Sequence, residues 1–120
     1  MKLFRFDPAV GRSLEQFDSR NTIITRIVHT TQETFVRCVY LDPGGVIGYH
    51  PAGANQLFIV VAGQGEVRGQ SEEFVALAPG QAAWWLAGES HESRTATGMV
   101  ALIIESKDLD PSEWMIAKKG

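Results

Sequence analysis

Two histidines carry the most versatile chemistry in this chain. His50 closes the run VIGY, and His91 lies in the segment ESHES. Imidazole is a good ligand for first-row transition metals, and it titrates near neutral pH, so it also serves as acid or base. Gln56 opens a second apolar run, QLFIVV, and can present a carbonyl oxygen or an amide. Side chains two apart on a strand share a face. Phe58 therefore shares the face of Gln56, and Ser93 and Thr95 share the face of His91. Ala52 returns to the face of His50, where its methyl group can ligate nothing. Tyr49 points away from His50. Trp84 and Trp85 are adjacent, so one faces inward and can wall a pocket. Glu89 and Glu92 flank His91 and read as rim charges. A lone histidine at a strand end is ordinarily a satisfied polar residue, so the weight rests on the set.

The elements that must position this set are short strands. Segments 22–28, 34–41, 46–50, 56–61, 66–69, 73–77, 81–86, 91–97 and 99–105 are rich in Val, Ile, Thr, Phe and Trp. Between them stand DPGG, PAGAN, AGQG, GQSE, APG, AGES and TG. Regular short strands with such turns indicate an all-β sandwich or barrel. Asp110-Pro111 with Glu113 resembles a helix start and predicts one short C-terminal helix. QLFIVV and MVALIIE are apolar on both faces, which marks strands buried on both sides. One face is the barrel lumen. Leu3, Phe4 and Phe6 are expected to cover part of the other, and a second subunit the rest, as a homodimer.

Composition narrows the partners. The 120 residues fit one domain, 1–120, with 44% hydrophobic and 21% charged residues. Net charge is −3, and no basic cluster exists beyond Lys118-Lys119, which argues against a nucleic-acid partner. Cys38 is the single cysteine, read as a small buried hydrophobe on its strand; no internal disulfide can form. Charges at positions 2, 5 and 7 break up any signal-peptide core, and no apolar run is long enough for a bilayer. No membrane partner is expected, and the predicted location is the cytoplasm.

The spacing of these residues resembles the cupin superfamily. Its first motif runs glycine, five residues, histidine, one residue, histidine, three or four residues, glutamate, six residues, glycine. Here Gly44, His50, Ala52, Gln56 and Gly63 take those places. The second motif runs glycine, five residues, proline, one residue, glycine, two residues, histidine, three residues, asparagine. Here Gly80, Leu86, Gly88, His91 and Thr95 stand in register. The resemblance covers residues 44–95 and implies a jelly-roll β-barrel.

It also implies that the motif side chains converge on a divalent metal such as Ni, Zn, Fe or Mn. This chain keeps His50 and His91 but has Ala52 for one histidine and Gln56 for the carboxylate. The candidate metal ligands are then His50, Gln56 and His91, a set with no negative charge that holds an ion weakly. The candidate ligand pocket is His50, Gln56, Phe58, Ser93 and Thr95. Two functions follow from the resemblance. One is a metal-assisted enzyme of dioxygenase or isomerase type acting on a small polar or anionic metabolite, most simply a carboxylate. The other is a metal-free small-molecule-binding or dimerisation module.

Overall fold

The structure is a computed structural model, and it describes residues 1–71 and 73–119. Among the described residues twelve strands follow in chain order. They are β1 (Lys2–Arg5), β2 (Arg12–Ser13), β3 (Ile23–Ile24), β4 (Thr34–Leu41), β5 (Val46–Pro51) and β6 (Asn55–Gly63). The remainder are β7 (Gly65–Arg68), β8 (Val75–Leu77), β9 (Gln81–Trp85), β10 (Ser90–Arg94), β11 (Met99–Ser106) and β12 (Ile116–Ala117). Six of them form one antiparallel sheet in the order β12-β1-β9-β6-β11-β4, and four form a second in the order β5-β10-β7-β8. The short hairpin β2–β3 stands apart. The all-β jelly-roll expectation is met, and the strand over 34–41 has the expected bounds. The strand expected over 22–28 shrinks to Ile23–Ile24, because the chain then leaves to pack Ile27 and Val28 against the large sheet.

The large sheet is apolar on both faces, and each face has its own cover. Toward the small sheet, Phe58, Val60, Ala83, Trp85, Met99 and Ala101 pack on Val67 and Leu77. On the outer face, Phe4, Leu57, Ile59, Ala82 and Trp84 pack under Leu109 and Met115. Leu57 and Leu109 are fully buried. The outer cover is thus largely the chain's own C-terminal segment, which sequence patterning had left to a second subunit. Phe4 and Phe6 do join the outer cluster, but Leu3 turns inward, because β1 enters the sheet beside β9 rather than lying over it.

Hydrogen bonds pin that C-terminal segment. Trp84 Nε1 donates to the Leu109 carbonyl at 3.1 Å, and Asn55 Nδ2 donates to the same oxygen at 3.2 Å. The expected C-terminal helix is instead a single 3-10 turn, Pro111–Glu113. Asp110 caps it, accepting from the Ser112 backbone N–H at 2.9 Å. The turn cannot lengthen into a helix because the open edge of β1 takes up the next backbone groups. Ile116 and Ala117 pair with Arg5 and Phe4, and Lys118 N–H donates to the Leu3 carbonyl.

Because Leu109 is wholly buried in this cover, Leu109→Ala is expected to destabilise the fold by roughly 2–5 kcal/mol. Urea unfolding measures it; a loss within experimental error would mean that the C-terminal segment does not seal the sheet.

Candidate functional site

His50 and His91 are direct cross-strand partners on β5 and β10. Directly opposed side chains project from the same face, and the two ring centroids lie 4.5 Å apart. His50 is exposed, whereas His91 retains 2% of its surface. Each ring donates its Nδ1 proton to a carbonyl two residues earlier: His50 to Gly48 at 2.6 Å and His91 to Glu89 at 3.1 Å. A carbonyl only accepts, so this bonding selects the tautomer in which Nε2 of each neutral ring carries a lone pair. Nε2 of His91 is buried and has no hydrogen-bond partner.

Trp85 covers His91. The two rings stack with centroids 4.3 Å apart at 21°. Trp85 is fully buried, and its Nε1–H also lacks a partner. A stacked pair therefore holds one unanswered acceptor and one unanswered donor. Leaving such a group unpaired costs about 1–3 kcal/mol. Trp85 is the inward member of the tryptophan pair, while Trp84 lies in the outer cluster.

The other predicted residues are distributed around this pair. Gln56 is buried and pairs with Trp85 on one side and Glu105 on the other, so all three share the inner face. Phe58 lies deeper, 1% exposed, with its ring 6.2 Å from that of Trp85. Ser93 is buried on β10 beyond a register shift that separates it from His91. Thr95 sits elsewhere. Its hydroxyl donates to the Gln64 carbonyl at 2.7 Å and accepts from Gly98 N–H at 2.9 Å. With Gln64, Glu66 and Leu77 it lines a separate cavity of about 340 Å³. Glu92 is engaged by Arg68, and Glu89 by the Met1 amine and the Leu86 N–H. Tyr49 faces outward beneath the Arg68 guanidinium.

Glu105 was missed in the sequence reading. It pairs with Arg37 at 3.2 Å, and its charge reaches His91. Its place at the inner end of β11 was visible in the alternation of MVALIIE, but its position opposite Gln56 depends on register.

These residues make a poor set for holding a divalent metal tightly. Among the described residues no three His, Cys, Asp or Glu side chains gather as a metal centre would require. His50 and His91 each keep an Nε2 lone pair, but Gln56 brings no charge and Ala52 no donor atom, so the set lacks the charge and the third imidazole that would hold a divalent ion tightly. Ala52 is buried, with its N–H donating to the Glu89 carbonyl and its own carbonyl accepting from Gly88.

No family model and no curated protein matches this chain. Solved structures do. A cupin superfamily protein of Desulfitobacterium hafniense aligns with a TM-score of 0.59 at 12% identity, over 75% of this chain and 82% of that one. The chain has the cupin fold. A Thermus thermophilus protein superposes on this cupin barrel with a TM-score of 0.56 at 24% identity, covering 85% of this chain and 88% of that one. A DMSP lyase of Ruegeria pomeroyi gives 0.59 at 19% identity; it covers 89% of this chain, which spans only 57% of the lyase. The cupin spacing has a backbone origin here. Gly44, Gly63, Gly80 and Gly88 all have positive φ, between 71° and 87°. At Gly63 a Cβ would also strike the Gly98 carbonyl oxygen, so only glycine closes that turn.

Burial pushes the His91 pKa below its ordinary value of 6.5, and the nearby His50 charge pushes the same way. The bond to the Glu89 carbonyl and the charges of Glu89 and Glu105 oppose the shift without reversing it. The unfolded chain therefore binds this proton more readily than the folded one. The stabilisation is present above the ordinary histidine value and is lost as pH falls through the lowered folded value. Thermal melts across this interval should show a decline that His91→Leu removes; a variant declining in parallel with the parent would exclude His91 as the source.

Proposed function

We propose that this chain binds a small hydroxyl-bearing polar molecule at the mouth of its cupin barrel, without a metal ion. The observation that carries the reading is the stacked pair, His91 with a free acceptor and Trp85 with a free donor. A hydroxyl group has both functions to offer, a proton for His91 Nε2 and an acceptor oxygen for Trp85 Nε1–H. A bare carboxylate answers only Trp85 and meets the His91 lone pair unfavourably while that ring stays neutral. A hydroxy acid is therefore favoured over a simple carboxylate. Exposed His50 supplies a further nitrogen at the rim, and Arg37 supplies a cation beside Glu105. The fold does not choose between binding and catalysis. Similar structures include a DMSP lyase and a predicted oxalate decarboxylase.

Tryptophan emission reports on this site through Trp85. Glycolate or lactate is expected to shift it, with and without a chelator, and acetate or propionate to bind about tenfold more weakly or less. His91→Leu should abolish the difference between each acid and its deoxy analogue. Equal binding of the pair, or a response that requires added nickel or zinc, would overturn the reading.

A second copy of this chain is the partner proposed for one remaining apolar strip. β4 is an edge strand of the large sheet, and Val36, Cys38 and Tyr40 are exposed along its outer face, so Cys38 is not the buried residue expected: nothing among the described residues covers that strip. Unpaired edges of this kind invite strand pairing. Light scattering at micromolar concentration is expected to return twice the chain mass, and a monomer mass would remove the proposal.

A further inference from the structure

A second cavity lies away from the barrel mouth, between the β2–β3 hairpin, β1 and the residues around β12. Its volume is about 360 Å³, and three of its lining residues are Arg5, Arg12 and Arg26. No carboxylate is among the described residues that line it. Arg5 is already committed. Its guanidinium donates twice to Asp7, at 2.7 Å each, and holds that carboxyl down to about 2. Arg12 and Arg26 make no ion pair among the described residues. Arg26 instead lies over the Trp114 ring at 5.1 Å. Three guanidinium charges less the Asp7 charge leave a formal excess of two. The adjoining cavity, which shares Arg5 and Ile116, adds Lys118 and Lys119. This concentration of cations occurs in a chain whose net charge is −3.

Like charges gather at a cost unless something compensates them. A divalent cation is repelled here. A monocarboxylate leaves one positive charge unmatched. A phosphomonoester carries a charge of about −1.5 to −2 near neutral pH and offers three acceptor oxygens, which suit guanidinium forks. Most of the remaining wall is apolar: Phe6, Val10, Ile24 and Ile116 line the same space beside Trp114, with Thr25 the one hydroxyl among the described lining residues. Inorganic phosphate leaves those walls uncovered, whereas a phosphate ester with a compact apolar body covers them. The volume is at the small end of the range for ligand sites.

We propose that this cavity is a second ligand site, specific for small organic phosphate esters, formed where the N-terminal hairpin meets the C-terminal strand. It shares no residue with the barrel mouth and stands independently of the function proposed there.

Calorimetry on the full chain tests it with phenyl phosphate, inorganic phosphate and benzoate as probes. Phenyl phosphate is expected to bind about tenfold tighter than either of the others, and more tightly above the second phosphate pKa near 6 than below it. The double variant Arg12→Gln, Arg26→Gln should lose at least about tenfold in that affinity. Both positions are exposed, so the thermal midpoint of the variant is expected to match the parent and shows that the loss is local. Benzoate binding as well as phenyl phosphate would overturn the charge assignment. Inorganic phosphate binding as well would overturn the role of the apolar walls. No heat of binding, or an unaltered affinity in the folded double variant, would overturn the site.

Discussion

The large sheet is apolar on both faces, and everything else in the molecule answers to that. Leu57, Phe58, Ile59 and Val60 are consecutive on β6 and all are essentially buried. Alternation sends two of them to each side, so no single layer can shelter the strand. The small sheet closes the inner face and makes the barrel. The segment through Leu109 and Met115 closes the outer face, and its bonds to Trp84 and Asn55 fix where it lies. The placement of the last strand against β1, and with it the cavity of the three arginines, follows from that cover.

The inner closure is incomplete in polar terms. Apolar side chains fill the barrel beneath the mouth, and at the mouth the stacked His91 and Trp85 keep an acceptor and a donor without partners. Buried polar groups are almost always bonded. A pair of exceptions in contact with one another is the feature that the proposed hydroxyl-bearing ligand would answer. The same burial lowers the His91 pKa and favours the neutral ring, whose free nitrogen suits a proton donor better than an anion.

Charge is arranged with similar economy. On the outer face of the small sheet, arginines are matched to carboxylates, Arg68 to Glu92 at 2.8 Å and Arg94 to Glu66 at 3.2 Å. Both guanidiniums also lie over Phe74. Against that background of paired residues, Arg12 and Arg26 stand out. They face a concavity rather than a flat surface, and screening by water weakens charges in a concavity less than on an open face.

Sequence by itself determined the central strands, β4 to β11, and the turns between them. Alternation in QLFIVV and MVALIIE fixed which strands are buried twice, and the motif glycines fixed where the chain reverses, because positive φ excludes most other residues. The cupin resemblance implied that His50 and His91 share a site; that they face each other directly across β5 and β10 is tertiary register. Long-range pairing decided the rest. Nothing local says that β6 lies between β9 and β11, and those two pairings are what align Trp85 and Glu105 on either side of Gln56. Thr95 shares a strand face with His91 by counting alone, but the register shift after His91 and the turn at Gly98 take its hydroxyl to the hairpin end. The C-terminal residues carry a sound helix start, yet the unpaired edge of β1 offers their backbone a better set of partners, and only the folded sheet creates that edge.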